Sequence, residues 1–264
     1  MSAFIALVLA SFRRETQHRL QTAMRIIGGL VEILARISIW QAVYAGRAAV
    51  GGISLDSMMT YALVGGTILS SWEATMIVRE VGTTIRTGAI GATLLRPASY
   101  PLMLLAEQIG ARLFEWVIIG LPVIVVMGAI YGLLPPASLP HGLLFIGYLA
   151  VSIAILMLTG ILIGLFSFWV FDAHSLEWFM RGLLAVLSGS LVPIWFFPAG
   201  FGEVVHFLPF SWITYHPMAV YLGQRDLMAS LEYLVGGIGW AGLLALTVAF
   251  VWSRACRQVV VQGG

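Results

Sequence analysis

"WVIIGLPVIVVMGAIYGLL", Trp116–Leu134, decides the fold class. It is a continuous apolar run with no charged residue. A strand of a membrane barrel would alternate apolar and polar residues with a period of two. This stretch does not alternate. A helix needs ~20 mostly apolar residues to cross a bilayer core, and helices and closed barrels are the only structures that span it. The stretch therefore reads as a transmembrane helix. Composition agrees: of 264 residues, 60% are hydrophobic and 10% charged, where soluble domains average ~45–50% and ~25%.

Working outward, six apolar spans follow, at about 24–45, 57–77, 102–132, 142–170, 177–197 and 229–252. The first is the weakest, because it contains Glu32 and Arg36. Their i,i+4 spacing puts them on one helix face, where they can pair. Residues 1–22, "MSAFIALVLASFRRETQHRLQT", start apolar and turn basic. A secretory signal has the opposite order. The segment reads as an amphipathic helix on the cytoplasmic surface, with Arg13, Arg14 and Arg19 at the headgroups. Arginine placement orients the chain. With the N-terminus inside, Arg13, Arg14, Arg19, Arg25, Arg79, Arg86, Arg96, Arg181, Arg254 and Arg257 are cytoplasmic, against Arg47 and Arg225 outside. Both termini then lie in the cytoplasm. No repeat, low-complexity tract or linker divides residues 1–264, so one domain is expected.

Every basic residue among the 14 Lys+Arg is Arg. A phosphate loop of the Walker type needs a Lys, as does a Schiff-base cofactor site. Both are excluded. The single Cys256 cannot form an internal disulfide, and a net charge of +2 gives no sign of nucleic-acid binding. His206 and His216 are ten residues apart with no Cys or carboxylate set to complete a metal site. His141 and His174, at opposite ends of the fourth span, cannot jointly hold a haem. "SGSLVP", Ser188–Pro193, lacks a histidine partner in another span, so its small residues read as helix-packing positions rather than a serine nucleophile. Glu107 and Glu115 are acids within the third span, with Arg112 between them. An intramembrane acid is a functional candidate by default, either as part of an ion pair or as a proton relay.

Two connections stand out. Trp195–Asp226, "WFFPAGFGEVVHFLPFSWITYHPMAVYLGQRD", is too apolar for a watery loop, and Pro198, Pro209 and Pro217 stop a crossing helix. Short interfacial or re-entrant helices are expected on the outer face, with Trp195, Phe196, Phe197, Phe207, Phe210, Trp212, Tyr215 and Tyr221 in the headgroup zone. Arg79–Pro101, "REVGTTIRTGAIGATLLRPASYP", is the longest stretch unsuited to lipid. Val81/Ile85 and Ile90/Leu94 have helical spacing, while Gly82, Gly88 and Gly91 weaken an isolated helix. The spacing predicts a short cytoplasmic helix within Glu80–Leu95 that needs a docking partner.

In order, the basic amphipathic start, the six spans, "IRTGAIGATLLRPASYPLMLLAEQIG" and "SGSLVPIWFFPAGFGEVVHFLPFSWITYHPMAVYLG" resemble the permease subunits of type-2 (ABC-2-like, drug-resistance and polysaccharide-exporter-like) ABC transporters. The resemblance covers essentially the whole chain. It implies an all-α integral membrane protein with an N-terminal elbow helix and outer re-entrant helices. It implies an ATP-driven exporter subunit for a hydrophobic or amphipathic cargo, with no cofactor of its own and no enzymatic activity. ATP and Mg would be held by a separate ATPase subunit in two copies, beside a second permease, identical or homologous, in a bacterial inner membrane. Ile85, Arg86, Ile90, Leu94, Leu95 and Arg96 would form the coupling helix that rests on that ATPase, and "FDAHSLEW" would add smaller contacts. The rival reading is a proton-coupled secondary transporter using Glu115.

Overall fold

In lipid, each backbone N–H must find a carbonyl inside its own segment, so the apolar runs become helices. The computed structural model describes residues 3–17, 19–70, 74–94, 99–170 and 173–258. Helix α1 (Ala3–Glu15) turns into α2 (Arg19–Tyr44). Arg19 thus opens α2, whereas Arg13 and Arg14 close α1. A two-stranded hairpin pairs Ala49–Val50 with Ile53–Ser54. Gly51 and Gly52, both at positive φ, make its turn. Helix α3 starts at Leu55, capped by the Ser54 hydroxyl, and passes a π turn at Tyr61–Gly65 to end at Ser70. Helices α4 (Ala74–Arg86) and α5 (Ile90–Leu94) follow. Helix α6 runs Tyr100–Tyr131 with a second π turn at Glu115–Gly120.

Helix α7 (Leu139–Leu165), capped by Ser138, is the central one. Two thirds of its most apolar stretch is buried, against 11% for the last helix. Then come α8 (Ala173–Leu187), the short α9 (Phe201–Phe207) and α10 (Tyr215–Tyr221), and α11 (Leu227–Ala255), capped by Asp226. Among the described residues, α2, α6, α7 and α11 are long and apolar enough to cross a membrane. They match the expected spans one, three, four and six to within a few residues.

The fifth span differs from expectation, whereas the second, expected at 57–77, includes residues 71–73, which lie outside the described residues; α3 is described to Ser70, and α4, from Ala74, continues beyond 77 to Arg86. The fifth was placed at 177–197, yet α8 stops at Leu187, and its 15 residues reach only about 22 Å of the ~30 Å core. The reason lies in Ser188–Pro193. Gly189 sits at φ +75, a conformation no helix interior uses. The carbonyls released by the break are then captured one by one. Ser188 O accepts from the Tyr215 N–H at 3.1 Å. Gly189 O accepts from the Tyr61 hydroxyl at 2.7 Å, and Ser190 O from the Arg36 guanidinium at 2.9 Å. Arg36 also pairs with Glu32 at 2.8 Å, as their spacing predicts.

The proline-broken segment Trp195–Asp226 holds the expected short helices, but much of it lies inside the protein. Trp212, Tyr215 and Tyr221 are buried rather than placed among headgroups. Broken backbone needs partners, and α7 and α11 supply them. Ser152 donates to Ile213 O at 2.6 Å, and Trp212 donates to Tyr233 O at 2.8 Å. Gly237 leaves the space that the Trp212 indole fills, since a Cβ there would overlap it. Phe201 and Phe207 stay exposed. By contrast α2 and α11 present open apolar faces, including Met24, Ile27 and Val31 on one and Val235, Leu246 and Phe250 on the other.

Candidate functional site

The segment expected to form one coupling helix is divided in two. Thr83, Thr84 and Thr87 turn their hydroxyls back onto the carbonyls of Arg79, Glu80 and Thr83, which shields the last turn of α4. Gly88, at φ +72, then ends it, and the Gly91 N–H on Gly88 O starts α5. Arg86, Thr87 and Ala89 are exposed. Ile85 is half-buried against the core, and Ile90 is 3% exposed. The apolar spacing of Ile85 and Ile90 thus serves the interior. Leu94 ends α5; its side chain, Leu95 and Arg96 lie outside the described residues.

Helix α4 is held firmly from behind. A Cβ at Gly164 of α7 would sit 2.9 Å from the Cβ of Val81, so the two helices nearly touch. Glu177 of α8 is buried and accepts two hydrogen bonds from Arg79, each 2.9 Å, while Arg181 approaches it at 3.5 Å. Glu177 belongs to the "FDAHSLEW" segment. Helix α4, whose last residue is the exposed Arg86, is thus packed on α7 and ion-paired to α8.

A second polar path runs inward from the next residue of α4. Glu80 accepts from Gln108 Nε2 at 2.6 Å, and Gln108 Oε1 accepts from Arg112 at 3.2 Å. Arg112 pairs with Glu115 at 2.5 Å, and Arg25 of α2 reaches Glu115 at 3.0 Å and Glu15 of α1 at 3.7 Å. Arg112 and Glu115 are 5% and 6% exposed. Burying charges is tolerable when they are paired and hydrogen-bonded, and the i,i+3 spacing on α6 makes this pairing local. Glu115 also opens the π turn, whose extra residue shifts the helix register below it. The intramembrane acid of the third span is thus bound to two arginines.

Helix α1 closes this region from outside. It crosses α6 so tightly that a Cβ at Gly110 would overlap the Val8 carbonyl oxygen. The Ser11 hydroxyl donates to Glu107 O at 2.6 Å, and Phe12 meets Phe114 edge-on. Glu107 lines two clefts, one beneath α1 with Arg14 and one with Glu80 and Tyr100.

His206 and His216 form a cluster that their ten-residue spacing in the sequence did not reveal. Arg225 donates to His216 Nδ1 at 2.8 Å and to His206 Nε2, and its guanidinium lies 4.2 Å from the Tyr233 ring centre. Arginine only donates, so both accepting nitrogens carry no proton. His216 Nε2 is left to donate to His206 O, at 3.0 Å. Among the described residues no group of three His, Cys, Asp or Glu is placed to hold a metal.

A sequence profile described as "ABC-2 family transporter protein" matches residues 30–263. No curated protein and no solved structure gives a significant match. The profile spans nearly all of the helical chain described above, from α2 to beyond α11, and the type-2 ABC permease resemblance rests on the same length of sequence. The chain belongs to the ABC-2 family of transporter proteins, as a membrane component of an ABC transporter.

Proposed function

We propose that the chain is the transmembrane subunit of an ATP-driven exporter in a bacterial inner membrane, a single domain with six spans, the fifth formed by the short α8 together with the segment that follows Gly189, and both termini cytoplasmic. Residues 3–15 serve as its elbow helix. Two permeases, identical or homologous, enclose the path, and two ATPase subunits holding ATP and Mg bind below. Their closure pushes on the Arg86–Leu94 tip and opens the path outward. A hydrophobic or amphipathic cargo suits the apolar faces of α2 and α11.

The observation that carries the reading is the combination of an exposed tip with a rigid backing. Arg86 and the Thr87–Ala89 turn project freely, while Arg79, Val81 and Glu80 of the same helix are tied to α8, α7 and α6. A partner pressing on this tip moves three helices together. The chain itself has no lysine for a phosphate loop, so energy from ATP must be supplied by another subunit. A proton route through Glu115 gains no support from its surroundings, because both carboxylate oxygens are engaged by guanidinium groups.

The test is Arg86→Glu. Arg86 is exposed, so charge reversal leaves the fold intact while altering the docking face. ATPase association or transport-linked ATP hydrolysis should be lost. Unchanged association and hydrolysis would show that the tip is not the docking point. Substituting Ile90 with a charged residue is uninformative, since it would break the core.

A further inference from the structure

Arg225 lies on the short link between α10 and α11, yet it reaches four helices. Its guanidinium donates to His206 of α9 and His216 of α10, and its face lies over the Tyr233 ring of α11. Its backbone carbonyl accepts from His141 Nε2 of α7 at 3.2 Å. Each of these partners is able to serve while uncharged. No carboxylate comes within ion-pair distance of Arg225, His206 or His216 among the described residues. Glu203, Asp226 and Glu232, the acids adjacent in sequence, are exposed. The other titratable groups facing the cluster are Tyr215 of α10, Tyr233 of α11 and Tyr148 of α7, and phenols carry no charge at neutral or acid pH.

An arginine stays protonated, so the cluster holds only while both imidazoles offer it a lone pair. The two rings are 4.7 Å apart. A proton on either removes an acceptor and sets a second positive charge beside Arg225, with no anion to offset it. The link is also able to let go. Gly223, at φ +65, and Gln224 are exposed, and Arg225 is half-buried, so its guanidinium has a route to water. Helix α9 is the weakest of the parts it holds. Its seven residues bury only Val205, while Phe201, Val204 and Phe207 are exposed. Without Arg225 it keeps an exposed hydrogen bond to α11, from Trp240 to Phe207 O at 3.0 Å. So short a helix does not persist on its own propensity.

We infer that His206, His216 and Arg225 form an acid-released latch: protonation of the histidine pair frees Arg225 and lets α9 lift from α11 while the long helices stay packed. The closed latch binds protons less readily than the open one, since burial and then Arg225 hold His206 down to about 4, against ~6.5 in the open form. The closed form is therefore fully favoured above ~6.5 and loses ground as the pH falls, by about 70-fold at pH 4.5 from His206 alone. The side of the membrane that the latch senses rests on the orientation proposed above; the local release does not, nor does it rest on ATPase docking.

The experiment is hydrogen–deuterium exchange with mass spectrometry on the full-length chain in detergent, at about pH 7 and about pH 4.5, with rates corrected for the intrinsic pH dependence of amide exchange. Protection across Phe201–Phe207 should fall about 70-fold or more at the lower pH, while that of Leu139–Leu165 is unchanged. His206→Gln still accepts from Arg225 but cannot titrate, so it should shrink the fall at least tenfold. Arg225→Gln should show weak protection of α9 already at about pH 7, with α7 still protected. Equal corrected protection of α9 at the two pH values would overturn the latch. So would a loss that spreads equally through α7, which marks general acid unfolding. A fall that His206→Gln leaves intact, or α9 protected as in wild type in Arg225→Gln, would overturn it as well.

Discussion

Glu115 is the residue at which two readings of the chain diverge. Its carboxylate bridges Arg25 and Arg112 at 3.0 and 2.5 Å. Removing that charge leaves two guanidinium groups facing each other in a mostly buried site. Glu115→Gln should therefore cost about 3 kcal/mol of stability, the lower end for breaking a buried pair because Arg25 is partly exposed. A thermal melt in detergent measures this. Glu107→Gln should change the melt little, since the Glu107 side chain makes no ion pair among the described residues. If Glu115→Gln instead left stability unchanged and abolished a proton-dependent transport rate, the ion-cluster account would fail.

The outer cap offers a pH prediction at the same scale. Burial, and then the charge of Arg225, holds the His206 imidazole down to about 4. The same causes, in that order, hold His216 well below the usual histidine range. In the unfolded chain both titrate near ~6.5. Between ~6.5 and about 4 the unfolded chain therefore binds protons that the folded cap does not. Stability is fully present above that window and falls as the pH drops through it. The melting temperature should fall between about pH 7 and about pH 5, and His206→Gln, which keeps an acceptor for Arg225 but cannot titrate, should flatten the fall. A melting temperature indifferent to pH would show that the histidines are not neutral in the cap.

Among elements, α1 depends on one missing side chain. Gly110 lets the Val8 carbonyl lie directly on α6. Gly110→Leu should undock α1, and trypsin should then cut faster at the exposed Arg13 and Arg14. Gly28→Leu is the control, because nothing lies near a Cβ at that position. Equal cleavage rates in the two variants would show that α1 is held by something other than this crossing. Helix ends were the least legible elements in the sequence. The apolar run through 177–197 reads as one span, and only the backbone shows that Gly189 breaks it while Tyr61, Arg36 and Tyr215 catch the freed carbonyls. Those partners lie far away in sequence, so no local pattern announces them. The coupling segment was misread for the same reason. Val81/Ile85 and Ile90/Leu94 each have helical spacing, yet Gly88 puts the two pairs in separate helices, and the core claims Ile90.

For the whole molecule, hydropathy was sufficient for the helical membrane class and for the four long apolar helices, because lipid imposes the same rule on every spanning backbone. Local spacing also foretold the Glu32–Arg36 pair. The polar path from Glu80 through Gln108 to Glu115 was not foreseen, since its links join α4, α6 and α2 across the fold. The outer histidines read as unremarkable until Arg225 brought them together. What remains central is the proposed dependence of this chain on a separate ATPase. The most direct measurement is affinity purification of the tagged full-length chain from its native membranes, wild type beside Arg86→Glu, with identification of everything retained. The account predicts an ATP-binding ABC subunit in near-stoichiometric amount with the wild type and its loss from the variant. Wild-type chain that purifies without any ATPase, and transports when reconstituted with a proton gradient alone, would contradict it.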